Sequence, residues 1–174
     1  MPTFNKVRSG KIAKLAGQQF ELILDQRCRS EGITAIRIPD GCRQVRSRNG
    51  YTLLRVATPF DFCLLYKTHA ITIDCKTIEK NNFTHSNLKD HQVHSLYNCS
   101  KNALQSGYII WYRDINEVYF HPSTQLKTTY KGQHLVKTDP SLFLGNISSF
   151  SLLKLFKRYL DQNVDNHAEL KAII

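Results

Sequence analysis

Long apolar runs are missing from this chain of 174 residues. None approaches the roughly 20 residues of a bilayer-spanning helix, and the start MPTFNKVRSGK has no apolar core of a secretory signal, so a cytosolic (cytoplasmic) protein is expected. Cysteine is sparse and poorly spaced for joint work. The five cysteines (Cys28, Cys42, Cys63, Cys75, Cys99) are odd in number and form no Cys-x-x-Cys pair, which argues against a disulfide framework and a zinc ribbon and predicts reduced, mostly buried thiols. Repeats, low-complexity tracts and a domain-sized linker are also lacking, and the length suits one domain over residues 1–174. Acid is the scarcest charge: 14 Asp and Glu stand against 24 Lys and Arg, a net charge of +10. That excess favours a polyanionic partner.

The excess is concentrated early. Residues 1–60 hold eleven Lys and Arg against Glu21, Asp25, Glu31 and Asp40, a local net of +7. Within them Arg43, Arg46, Arg48 and Arg55 follow one another with no acid between Asp40 and Asp61, so this stretch cannot be core.

From about Ser9 to Glu31, Ile12, Leu15, Ala16, Phe20, Ile23 and Leu24 recur at helical spacing, with Ser9 placed to cap the start and Gly32 to stop the helix. ITAIRIP (33–39) reads as a strand ended by Pro-Asp-Gly turn chemistry. YTLLRVA (51–57), FDFCLLY (60–66) and AITIDCK (70–76) read as further strands, the last two joined by Lys67-Thr68-His69. A helix over 86–105, a strand pair over 108–114 and 117–121, and an amphipathic helix over about 148–162 complete the order. Helices and strands in that order imply a mixed sheet flanked by helices, an α/β fold.

The chemistry sits in TPFDFCLLYKTHAITIDCK, residues 58–76. Alternate side chains of a strand share a face, so Asp74 and Lys76 point together and Cys75 points away. If the two strands pair as a hairpin with residue numbers summing to about 136, Asp61 lies across from Cys75, one position from both. Alone, this is also the pattern of solvated charges at strand ends. As a cluster, two crowded carboxylates call for a hard cation such as Mg²⁺ or Mn²⁺, whose affinity for phosphate oxygen brings a phosphodiester beside it. The lysine can then orient water or stabilise charge growing on phosphorus.

Three further stretches resemble the RecU-type Holliday junction resolvases of the PD-(D/E)xK nuclease superfamily. GQQFE (17–21) is similar to the Gly-x-x-Phe-Glu of that family's first helix, IRIPDG (36–41) to the strand leading through a proline into its protruding stalk, and LKDHQVHSL (88–96) to its His-Gln helix. The resemblance implies a restriction-endonuclease-like fold with a basic stalk over about 39–56. It also implies metal binding by Asp61, Asp74 and Gln92, catalysis by Lys76 with Asp61, Asp74 and Glu21, and phosphate contacts from Arg43, Arg46, Arg48 and Arg55. A homodimer dependent on Mg²⁺ (Mn²⁺ as substitute), cutting a branched four-way DNA, is expected. The family usually has glutamate where this chain has Asp74, a threonine where it has Pro59, and a glycine where it has Cys63. Two rivals stand beside this reading: another PD-(D/E)xK nuclease acting on flaps, ends or restriction-type sites, and a DNA-binding module of the same fold without activity. His91 and His94 lack the further ligand a zinc site needs, and Tyr108, Trp111 and Tyr112 are expected to pack within their strand.

Overall fold

The computed structural model describes residues 4–39, 41–47, 50–56, 58–79, 83–84, 88–102, 105–124, 134–135 and 142–160. The long helix α1 (Phe4–Ser30) begins earlier than the apolar spacing predicts, so Ser9 lies inside the helix and not at its start. Its end is built as expected. Gly32 sits at φ 69; its N–H donates to Arg29 O, and the N–H of Ile33 donates to Cys28 O at 2.8 Å. Such a paired closure needs the left-handed residue glycine supplies, and Ile33 and Cys28 are buried together in one cluster. Ala16, Phe20, Leu24 and Cys28 are the inward stripe of α1. Ile12 and Leu15, predicted to share it, are 48% and 65% exposed and lie outside that stripe.

Six strands form the main sheet in the order β1 (Thr34–Arg37), β4 (Phe62–Tyr66), β5 (His69–Ile78), β7 (Gln105–Tyr112), β8 (Glu117–Pro122) and β10 (Leu142–Asn146). Among the described residues only β5 and β7 run parallel, joined by a crossover through helix α2 (Asp90–Lys101). The sheet is therefore mixed, as expected. Asp90 starts α2 later than Ser86, and Gln105, assigned from sequence to its end, begins β7 instead. The strands β6 (Phe83–Thr84) and β9 (His134–Leu135) pair by themselves.

Between β1 and β4 the chain makes a separate antiparallel ribbon, β2 (Gly41–Ser47) with β3 (Gly50–Val56). The arginine-rich segment is thus itself a strand. Arg46 is exposed; Arg48 and the side chains of Arg43 and Arg55 lie outside the described residues.

The hairpin β4–β5 is tighter than its sequence suggests. Its loop is two residues, with Lys67 at φ 53, and His69 already pairs with Tyr66. The register, Phe62 opposite Ile73, is one residue away from the expected sum of 136.

Each face of the sheet has its own apolar cluster. One is large and joins the inward side of α1 to Phe62, Leu64, Ile71, Ile73, Ile109, Phe120 and the C-terminal residues Phe150, Leu152, Leu155 and Phe156. The other is small: Leu88, Leu96, Tyr108, Ile110 and Tyr112, beneath α2. The last helix, α3 (153–160), starts later than residue 148, and residues 161–162 lie outside the described ones. Its opening amides are taken by Glu31, whose Oε2 accepts from Leu152 N–H at 2.8 Å and Leu153 N–H at 3.0 Å. A carboxylate there satisfies orphan donors and complements the positive end of the helix dipole. Of the four cysteines with described side chains, only Cys28 is buried, fewer than expected. No helix among the described residues is long and apolar enough to cross a membrane.

Candidate active site

The α2 side of β5 carries Thr72, Asp74, Lys76 and Ile78, and its other side carries Ile71, Ile73 and Cys75. Ile71 and Ile73 fill the large cluster, with Cys75 packed against it, while Asp74 is fully buried on the side facing α2. The alternation expected of Asp74, Cys75 and Lys76 is what the strand displays.

Asp61 comes from the entry to β4. Its main chain is tied on both sides: its N–H donates to Ile73 O at 3.0 Å and its C=O accepts from Ile38 N–H at 2.8 Å. The Oδ2 atom accepts the Cys75 N–H at 2.7 Å. Asp61 thus reaches β5 between Asp74 and Lys76, although the register differs by one from expectation.

Gln92 enters from the first turn of α2. Gln92 and Leu96 are one turn apart and are the buried residues of that helix, whereas His91 and His94 are exposed. The Gln92 Nε2 donates to Asp74 Oδ1 at 2.5 Å, and Gln92 Oε1 accepts from Lys76 Nζ at 3.1 Å. Lys76 Nζ also forms an ion pair with Asp74 Oδ2. Aspartate, amide and ammonium therefore close a triangle, with the ammonium 5.9 Å from the Tyr108 ring centroid.

Burial dominates the electrostatics here. It pushes the Asp74 carboxyl up to about 7; Lys76 opposes the rise and Asp61 adds to it. Burial and the same two carboxylates raise the Tyr108 phenol, which stays neutral. Desolvation outweighing a direct ion pair marks a carboxylate whose charge is incompletely compensated by its protein partners. Among the described residues, no three His, Cys, Asp or Glu side chains converge to hold a metal. The donors at hand are two carboxylates and an amide, all oxygen, with neither thiolate nor imidazole. That set fits a hard divalent cation and not zinc.

Glu21 lies on the inner flank of α1 and forms an ion pair with Arg37 of β1. The Arg37 guanidinium also lies 5.9 Å from the Phe62 ring centroid. Glu21 is close enough for its charge to act on the Cys75 thiol, so it approaches β5 from the side opposite the Asp74 triangle. Sequence reasoning missed the roles of Arg37 and of Tyr108 as neighbours of these acids. The charge of Arg37 beside a strand-ending Pro39 was the available signal for the first; nothing in the spacing marked the second.

Fold and site together define an α/β protein with an acid, lysine and amide cluster built on the central hairpin of a mixed sheet. The chain belongs to the recombination protein U (RecU) family, whose model matches residues 32–145. No curated protein matches it. Among solved structures it is similar to the Holliday junction resolvase Hjc of Archaeoglobus fulgidus, an archaeal hyperthermophile. The match has a TM-score of 0.48 and 18% identity, and covers 66% of this chain and 84% of that one.

Proposed function

We propose that the protein is a metal-dependent endodeoxyribonuclease that resolves four-way (Holliday) DNA junctions in recombination and repair, working as a homodimer. The observation that carries the reading is the triangle of Asp74, Lys76 and Gln92 with Asp61 beside it, within a chain of the RecU family. Apolar replacement of a buried ion pair is often neutral or stabilising, so stability alone does not call for an acid tied to a lysine and an amide here.

Asp61 and Asp74, with the amide oxygen of Gln92, would hold Mg²⁺. When bound, such an ion polarises the scissile phosphate and lowers the pKa of a coordinated water. Lys76 is placed to donate to a phosphate oxygen or to the attacking water. The water oxygen gives up a proton to solvent as it bonds to phosphorus, the bond from phosphorus to the leaving strand's oxygen breaks, and that oxygen takes up a proton from solvent. Glu21, held by Arg37, adds negative charge from the other side of β5. Arg43, Arg46, Arg48 and Arg55 of the ribbon segment would contact phosphates, so recognition rests on shape and charge and weakens as salt rises. Two nicks related by symmetry need two such sites, which a two-fold dimer supplies.

The test is cleavage of a synthetic four-way junction against a linear duplex of the same sequences, with Mg²⁺ and with EDTA. Paired cuts in the junction alone, lost in EDTA, are expected. Equal cutting of both substrates would reduce the protein to a general nuclease, and cutting in EDTA would remove the metal.

A further inference from the structure

The start of α2 departs from the local rules of helix chemistry beside the Asp74 triangle. Lys89 is the N-cap of the helix, with the extended backbone of a capping residue at φ −95 and ψ 129, yet its side chain makes no capping hydrogen bond. Serine, threonine, aspartate or asparagine would satisfy a free amide there. Lysine does the reverse, because it sets an ammonium against the positive end of the helix dipole. Asp90, the acid of the first turn, suits that end, but Lys89 forms no ion pair with it or with any other described residue. Departure from cap and dipole preferences together is expected where a residue serves function.

Position decides what this ammonium can reach. The Lys89 C=O accepts the N–H of Gln92 at 2.9 Å and of Val93 at 3.1 Å, so Lys89 shares the first turn with the amide that bonds Asp74 and Lys76. Leu88 before it is buried in the small cluster, which pins this turn to the sheet, while Lys89 itself is exposed. Burial raises the Asp74 carboxyl and Lys76 opposes the rise; Lys89 is a further cation whose charge reaches it. The two lysines are differently placed. Lys76 is held by Asp74 and Gln92, whereas Lys89 faces solvent.

We infer that Lys89 binds a phosphate flanking the scissile one and so positions the strand to be cut. The inference rests on the nuclease reading of the site and deepens it. An anion is what this corner lacks, since it is drawn both to the ammonium and to the helix end that repels the ammonium. The cost of a lysine at the cap is then recovered only when DNA is bound. Lys89 touches no reacting atom, so it is a positioning residue, and a phosphate contact of this kind carries no sequence information.

The signature is a gain in stability joined to a loss of cutting. Lys89→Ser supplies the missing cap and removes the repelled charge, so the melting temperature of the full chain should rise by about 2–4 °C. Single-turnover cleavage of a four-way junction under subsaturating conditions should fall by about 10- to 100-fold, and Lys89→Arg should recover most of it. The contact itself is read by neutralising phosphates one at a time, as methylphosphonates on either side of the cut. In the wild type one flanking methylphosphonate should cost about as much as Lys89→Ser, and in the serine variant that same methylphosphonate should cost nothing further. Penalties equal in both proteins at every position overturn the inference and leave Lys89 acting on Asp74 through charge alone. A lower melting temperature together with lost cutting overturns it too, in favour of a structural role. The same comparison by gel shift in EDTA separates this inference from the nuclease reading. Binding coupled to one phosphate in a protein that cuts nothing would keep the contact and sink the nuclease, whereas cutting with uncoupled penalties would do the reverse.

Discussion

The two faces of the central sheet divide the work between them. Against α1 and α3 the strands present Phe62, Leu64, Ile71, Ile73, Ile109 and Phe120, an apolar surface joined to Phe20 and Phe156. Against α2 the same strands present Asp74, Lys76, Ser106 and His121 among a few apolar groups. Several of these polar groups find hydrogen-bond partners on that face. Ser106 Oγ donates to Leu96 O at 2.5 Å and meets Ser123 Oγ at 2.6 Å, and Tyr112 Oη meets His121 Nε2 at 3.0 Å. A single strand can thus feed the apolar cluster with odd residues and the polar one with even residues, because the pleat separates them. The polar face buries a carboxylate whose pKa desolvation raises to about 7.

Removing a large ring from the apolar face should cost most. Phe20→Ala is expected to lower unfolding free energy by about 3–5 kcal/mol in urea titrations, while the molecules that remain folded cut at the normal rate. Loss of cutting per folded molecule would mean that the two faces are not separable. On the other face, Lys76→Ala should reduce single-turnover junction cleavage by about 10²–10³-fold with near-normal junction affinity by gel shift. A variant that cuts normally would place the chemistry elsewhere.

Gly107→Ala probes the boundary between the faces. A Cβ there would meet His121 O at 2.3 Å and the Phe120 ring at 2.7 Å, and the neighbour that must yield is backbone. A loss of about 1–3 kcal/mol is expected, with cleavage impaired through the shift of β8. A smaller effect is tied to pH. The folded protein holds the Asp74 proton up to about 7, whereas an unfolded aspartate releases it near the ordinary value of about 3.9. The folded state therefore binds more protons in this window, and its stability is fullest below about pH 4 and falls as pH rises to about 7. Denaturation of the metal-free protein across that range should show the slope, and Asp74→Asn should flatten it. The smallest change is expected from Glu31→Gln, about 0.5–2 kcal/mol, in the apolar half alone.

Much of the apolar face was legible because it depends on local periodicity. The helix closure at Gly32 and the strands on either side of Lys67 follow from residue type and spacing. So did the shared face of Asp74 and Lys76, since a strand admits no other arrangement. What escaped was set by distant contacts. Nothing in residues 66–69 announced that Lys67 would take a left-handed conformation and shorten the loop, yet that choice fixes the register of Asp61. Ile12 and Leu15 look like core by composition, and only the direction of the helix against the sheet exposes them. The bonds from Gln92 to Asp74 and Lys76 required α2 to be laid over β5, which no local pattern states, and the resemblance to RecU resolvases supplied Gln92 where spacing could not. The arginine-rich segment lacks apolar alternation, so its strand, paired with β3, was not legible from spacing.

Glu31 joins the end of the first helix to the start of the last across 121 positions, beside a cluster that needs Phe20 and Phe156 together. Closing so long a loop carries an entropic cost before any contact rewards it. During synthesis, then, a nascent chain that has delivered Asp61, Asp74, Lys76 and Gln92 from the ribosome still cannot seal the sheet that holds them. The cluster that backs β5 is therefore completed only when Phe150, Leu152, Leu155 and Phe156 dock against it.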